Sequence, residues 1–240
     1  MVLVTGAARR VGAAIARALH DAGYAVALHY RHSRVELETL AAELESARAD
    51  STLALQADLA DSEELPALVE QVVARFGRLD ALVNNAAAFV PTPLGALDAA
   101  QCDRLFAVNA RAPLLLSQAA APHLKRSRGS IVNIVDIYAQ HPLRDYSAYC
   151  MSKAALAMAT LALAQELAPE VRVNGVAPGN VLWSDQPTGK ETRDRLLELT
   201  ALGRQGSPRD IAGAALWLLR DAPFVTGQIL RVDGGRGLAI

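Results

Sequence analysis

Short apolar runs alternate with alanine-rich, helix-patterned stretches from one end of the chain to the other, and this alternation constrains the fold most. The β runs are Val2–Thr5, Tyr24–Tyr30, Thr52–Gln56, Leu79–Asn84, Ser130–Val135, Val171–Val176 and Gln228–Val232. Between them the patterning predicts helices over Ala13–Ala22, Val35–Ala47, Glu63–Phe76, Ala99–Val108, Ala112–Lys125, Ser147–Ala168, Glu191–Ala201 and Pro208–Leu219. Leu37, Leu40 and Leu44 share one face of the second helix, and Gly23, Gly77 and Pro169 stop three of the helices. Strands that are apolar throughout, each followed by a helix, need cover on both faces. The expectation is an α/β fold: a doubly wound parallel sheet with helices on both sides. No linker, low-complexity tract or repeat interrupts it, so one domain over 1–240 is expected. The longest unpatterned stretch, Pro178–Lys190, is rich in Pro and Gly and has the length of a lid.

Charge and composition remove several classes. Lys and Arg number 24 against 25 Asp and Glu, a net charge of −1, which is too balanced for a nucleic-acid or polybasic membrane binder. A hydrophobic fraction of 52% excludes a disordered chain. Cys102 and Cys150 alone cannot build a disulfide scaffold or a four-cysteine zinc site, and the five histidines lack metal-ligand spacing. No apolar run reaches the roughly 18 residues of a membrane span, and MVLVTGAARR has neither the basic lead nor the cleavage site of a secretory signal. A soluble, cytoplasmic protein without metal is expected. No serine-elbow motif supports hydrolysis.

The first β–α turn, Thr5-Gly6-Ala7-Ala8-Arg9-Arg10-Val11-Gly12, sits where such sheets bind a dinucleotide pyrophosphate. The helix start offers free N–H groups and a positive dipole end; Gly6 permits the tight turn and Gly12 close packing. An acid after the second strand would favour NAD. The chain has His29-Tyr30-Arg31-His32-Ser33-Arg34 instead, a cationic and hydroxyl cluster suited to a 2′-phosphate, which favours NADPH. Asp58, in Ala57-Asp58-Leu59, could accept from the adenine amino group or serve as a helix cap like the nearby Asp61 and Ser62.

Tyr149 and Lys153 stand four apart on the long helix and so share a face. An ordinary phenol titrates too high for proton transfer at neutral pH; a neighbouring ammonium is expected to lower it and make a usable acid/base.

With these pieces in place, the chain resembles the short-chain dehydrogenase/reductase family over its whole length. The matching motifs are Thr5–Gly12, Asn84-Asn85-Ala86-Ala87, Asn109, Tyr149 with Lys153, Pro178-Gly179 and Val232-Asp233-Gly234-Gly235. The resemblance implies a seven-stranded Rossmann sheet and hydride transfer from a nicotinamide. The first half would hold the cofactor, with the catalytic helix and substrate loop in the second. Lys153 would contact the nicotinamide ribose, Asn109 would hold a relay water, and the protein would be a homotetramer.

Two positions depart from the general family. Arg10 replaces a common glycine, and Asp136 replaces the common catalytic serine. Both coincide with the pteridine reductases, which the chain further resembles at Asn85–Leu94 with its Phe89, at Leu143 and Tyr146, and at His29–Ser33. A pterin is flat and rich in polar edges. Phe89 would stack on one face. Arg10 would bridge the pyrophosphate and the pterin edge through its planar fork of donors. Asp136 would help Tyr149 deliver a proton to a ring nitrogen. Ala87 and Ala88 replace hydroxyl residues of that subgroup, and the tail Arg236–Ile240 lacks the arginine some members lend to a neighbouring subunit. Trp183 would close over a ligand or make a core or oligomer contact. The implied reaction is NADPH-dependent reduction of a dihydropterin, dihydrofolate or dihydromonapterin. The alternatives are a carbonyl reductase acting on a 3-oxoacyl thioester and a sensor that binds NADPH without turnover.

Overall fold

The computed structural model describes residues 1–182 and 190–239. Its strands are β1 (Val2–Val4), β2 (Val26–Tyr30), β3 (Thr52–Gln56), β4 (Ala81–Asn84), β5 (Ser130–Ile134), β6 (Arg172–Pro178) and β7 (Ile229–Val232). They form one sheet in the order β3-β2-β1-β4-β5-β6-β7. Every described pairing is parallel, for example Val4 with Leu28 on one side and with Val83 on the other. The α/β expectation therefore holds. Order reverses between β1 and β4, and a doubly wound sheet opens a crevice at the carboxyl ends of its strands where this happens.

The helices are α1 (Arg10–Asp21), α2 (Arg34–Ala47), α3 (Leu65–Phe76), α4 (Ala99–Phe106), α5 (Ala112–Ser127), α6 (Ser147–Glu166), α7 (Lys190–Glu198) and α8 (Pro208–Arg220). Two cores flank the sheet. On one face, Ile15 and Leu19 of α1, Leu40 of α2 and Ile211 of α8 pack against Val4, Leu28 and Val83. On the other, Val69 of α3, Leu116 of α5 and Leu163 of α6 pack against Leu3, Leu82 and Ile131. Successive residues of β1 and of Ala81–Val83 in β4 thus point into opposite cores, which is why these stretches are apolar without alternation.

The structure corrects three expectations. α1 begins at Arg10 rather than Ala13, because the turn itself enters the helix. α4 and α5 are joined by a π turn, Ala107–Arg111, rather than separated by a loop. Such turns commonly occur at functional sites, and this one carries Asn109. α6 is long and apolar enough to cross a membrane, 20 residues with a mean hydropathy of 1.3, against the expectation that no segment reaches a span. It is nonetheless a core helix, burying Tyr149, Ser152, Lys153, Leu156 and Leu163. The central part of the expected lid, with Trp183, lies outside the described residues.

Candidate active site

A cleft of about 700 Å³ opens at the carboxyl ends of the strands. Its floor is the glycine turn. Gly6 is left-handed at φ +63°, and a Cβ there would fall 2.9 Å from Ala86 Cα. A Cβ on Gly12 would fall 2.0 Å from Gly6 O, so the turn closes only with glycine. Arg10 also adopts positive φ, +55°, a conformation that glycine adopts without penalty. Thr5 Oγ1 accepts from the N–H groups of Asn85 and Ala86, and Asn85 Nδ2 donates to Thr5 O at 2.8 Å. These bonds fix the turn to the end of β4. Arg9 at the N-cap makes no capping bond, and no acid stands in the first turn of α1 among the described residues. Its positive end, flanked by Arg9, Arg10 and Val11, therefore faces the cleft as an anion seat. Across the cleft, Pro178 and Gly179 form the opposite lip, where a Cβ on Gly179 would fall 2.7 Å from Asp233 Cα.

His29 was grouped with the cations from sequence; the structure corrects this. It is buried, Nδ1 accepts from Gly6 N–H at 3.1 Å, and Nε2 lies 3.2 Å from Ala57 O. Burial lowers its pKa to about 4, so it is a neutral brace between the turn and β3. Its folded-state value lies below the unfolded one. The stability this neutral form contributes is therefore present above pH 6.5 and is lost as pH falls toward 4, by about 3 kcal/mol in all. Urea unfolding of His29→Gln should show a shallower loss between pH 7 and 4.5 than the parent; equal slopes would remove the assignment.

Tyr30, Arg31, His32 and Ser33 do line the cleft beyond the turn, with Asp58 and Leu59 opposite. Arg31 is half exposed, and its Nη1 lies 4.0 Å from Asp58. Asp58 is held by Arg104 at 2.9 Å and accepts from Ala60 N–H. Asp58 thus closes its own turn and faces the cleft, while the cap of the following 3-10 helix is Asp61, which accepts from Glu63 N–H.

Asp136, Tyr149 and Lys153 converge at the centre. The Tyr149 phenol donates to Asp136 Oδ2 at 2.5 Å, and Asp136 Oδ1 accepts from Tyr138 N–H. Lys153 Nζ donates to Ile134 O at 2.8 Å and is fully buried. The electrostatics run opposite to the sequence expectation. Burial, then the Asp136 charge, pushes the Tyr149 phenol well above its usual range. Burial raises Asp136 and lowers Lys153 to about 8. Desolvation outweighs the ammonium, so the pair is built to present a protonated phenol.

Asn109 does not line the cleft. Its amide donates to Ala88 O and Ser152 Oγ and accepts from Ala88 N–H, tying the 85–89 loop to α6. Its side chain thereby braces the loop against the catalytic helix. Phe89 lines the cleft beside Ala86 and Ala87, but one face is already stacked on Tyr146, ring centroids 4.5 Å apart, and Tyr149 meets it edge-on at 4.7 Å. Tyr146 therefore backs Phe89 rather than lining the cleft. Leu143 lines it, positioned through its N–H on Cys150 Sγ.

Three contributors escaped the sequence reading: Ser152, between the catalytic-helix residues; Asn180, whose buried Nδ2 meets no partner among the described residues; and Arg236, buried at the cleft wall. Only Ser152 carried a signal, its place inside the Tyr149–Lys153 motif.

Residues 6–236 match the family model described as enoyl-(acyl carrier protein) reductase. The chain is 37% identical to pteridine reductase 1 of Leishmania tarentolae, covering 99% of this chain and 96% of that protein. It is 34% identical to a 3-oxoacyl-[acyl-carrier-protein] reductase of Staphylococcus aureus, covering 97% and 96%. It is 36% identical to L-fucose dehydrogenase of Mus musculus, covering 99% and 88%.

Proposed function

The chain belongs to the short-chain dehydrogenase/reductase family of nicotinamide-dependent oxidoreductases, and on that premise we propose that it is an NADPH-dependent pteridine reductase, taking a dihydropterin to the tetrahydro form. The observation that carries the reading is the 2.5 Å bond from the Tyr149 phenol to Asp136. Reduction of a ring C=N bond needs a proton at nitrogen. A phenol kept protonated by burial, backed by a carboxyl whose own pKa is raised, is a proton donor with a second acid behind it.

The cleft fits the cofactor: the cradle at Gly6 and Gly12 excludes any Cβ, and the uncapped start of α1 seats a pyrophosphate. Arg31, His32 and Ser33 would hold the 2′-phosphate, Lys153 the nicotinamide ribose, and Pro178-Gly179 the nicotinamide side. When bound, the nicotinamide supplies the hydride. Tyr149 would give its proton to the ring nitrogen, and Asp136, after taking up a proton, would return one to the phenolate. Phe89, its outer side held rigid by Tyr146, walls the pterin edge-on to Tyr149, while Arg10 reaches the pterin's electron-rich rim. Asn109 holds the 85–89 loop against Ser152 and so fixes Phe89 relative to Tyr149.

Replacing Asp136 with serine tests this directly. Serine restores the residue common to carbonyl reductases of the family and removes the second acid. The kcat on 7,8-dihydrobiopterin should fall by about 10²-fold, the scale of a lost acid/base partner. An Asp136→Ser enzyme reducing the pterin at the parent rate would refute the role given to Asp136.

A further inference from the structure

The cleft wall contains a charge that the proposed chemistry does not use. After β7 the chain turns through two left-handed glycines, Gly234 at φ +63° and Gly235 at +81°. The turn leads into a short 3-10 helix, Arg236–Leu238, that lays Arg236 into the cleft. Arg236 is only 7% exposed, and its Nε and Nη1 meet no hydrogen-bond acceptor among the described residues. The nearby carboxylate is spent elsewhere: Asp233 Oδ1 accepts from Gly235 N–H at 2.9 Å and Oδ2 from Gly237 N–H at 2.8 Å. Two further basic groups border the same turn, since a Cβ on Gly237 would lie 3.4 Å from Arg231 Nη1 and 3.8 Å from His141 Nε2. A buried guanidinium without acceptors is costly, and such groups persist where a ligand completes them.

Position says which ligand. Arg31, His32 and the start of α1 lie at the ends of β2 and β1, toward one edge of the sheet; Arg236 follows β7, the opposite edge strand. Tyr138 lies within Coulombic range of both Asp136 and Arg236. Arg236 therefore stands beyond the proton-donating pair, away from the phosphate seat, where the distal part of a substrate would lie. Its companions there, Leu143, Leu182 and Tyr138, also line the cleft. A buried cation with two unmet donors, set beside Leu143 and Leu182, selects an acidic group.

We propose that Arg236 is a specificity-determining residue that binds an oxyanion, a carboxylate or a phosphate ester, carried by the substrate beyond its reacting ring. The proposal rests on the pterin reading of the same site.

The test compares the parent enzyme with Arg236→Met and Arg236→Lys, using NADPH and three substrates: neutral 7,8-dihydrobiopterin, 7,8-dihydrofolate with its carboxylates, and 7,8-dihydroneopterin monophosphate. At least one acidic substrate should show a KM about tenfold or more below dihydrobiopterin, and Arg236→Met should raise that KM by about 10- to 100-fold, as for a hydrogen bond to a charged group. Dihydrobiopterin kinetics should stay within about twofold, and Arg236→Lys should recover part of the loss. Preference for the folate identifies a carboxylate, and preference for the monophosphate a phosphate. Turnover of all three with the same KM in parent and Met variant overturns the proposal. Should no pterin be turned over, the pterin reading fails by itself. Calorimetric titration of p-aminobenzoylglutamate and of inorganic phosphate into the NADPH-loaded proteins then decides. Binding by the parent and not by Arg236→Met supports the oxyanion site, and binding by neither or equally by both overturns it.

Discussion

Tyr149→Phe should reduce kcat by about 10²- to 10⁴-fold while leaving NADPH affinity within about twofold. The substitution keeps the ring that Phe89 meets edge-on at 4.7 Å, so the substrate wall stays in place. It removes only the hydroxyl that donates to Asp136. Asp136 retains the Tyr138 N–H, and the glycine turn has no bond to Tyr149, so neither the carboxyl's position nor the cofactor seat depends on the phenol. Steady-state rates and a fluorescence titration with NADPH separate the two effects. A variant that binds NADPH and still turns over within about threefold of the parent would mean another group delivers the proton. Loss of NADPH binding with turnover would mean the phenol is structural.

Lys153→Met should give a protein that is more stable and nearly inactive. Lys153 is fully buried and, among the described residues, its ammonium donates to one carbonyl, Ile134 O. Burial lowers its pKa from 10.5 to about 8, a destabilisation of about 3 kcal/mol at pH 7. The sign follows from the protons bound. Below pH 8 both folded and unfolded chains carry the charge and the penalty is full. Between pH 8 and 10.5 the folded chain releases the proton first, so the penalty shrinks as pH rises. Methionine fills much of the same volume without the charge. Urea unfolding should therefore show Lys153→Met ahead by about 3 kcal/mol at pH 7, and by much less at pH 10. The same variant should lose about 10²-fold or more in kcat, because the positive charge beside Tyr149 and Asp136 and the ribose contact proposed for Lys153 are removed together. A variant less stable than the parent at pH 7 would show that the ammonium is satisfied better than its surroundings imply.

The parts of this architecture that rest on local chemistry were readable in advance. β1 is apolar at every position and β4 through Ala81–Val83 because both of their faces are covered, so they stood out as strands. Gly6 and Gly12 marked the turn because no other side chain fits there, and Tyr149 and Lys153 fell on one helix face by spacing alone. What was hidden depends on contacts distant in sequence. His29 looks like part of a basic cluster until Gly6 and Ala57 close around it. Asn109 stands out by its motif, but its ties to Ala88 and Ser152 are invisible in sequence. Phe89 and Tyr146 are far apart in the chain, and nothing in either segment signals that they stack. The direction of the Tyr149 shift was misread for the same reason. Lysine at i+4 is visible in sequence, whereas the burial that overrides it exists only once α6 is packed against β6 and the Asp136 turn.

The central claim is that this cleft reduces a pterin with NADPH. Initial rates should be measured by NADPH absorbance with 7,8-dihydrobiopterin, dihydromonapterin and dihydrofolate, beside an acetoacetyl thioester, and repeated with NADH. The account predicts turnover of at least one pterin, preference for NADPH over NADH, and no thioester reduction. Thioester reduction with every pterin left untouched would contradict it, and would make Asp136 a substitute for serine in an ordinary carbonyl reductase.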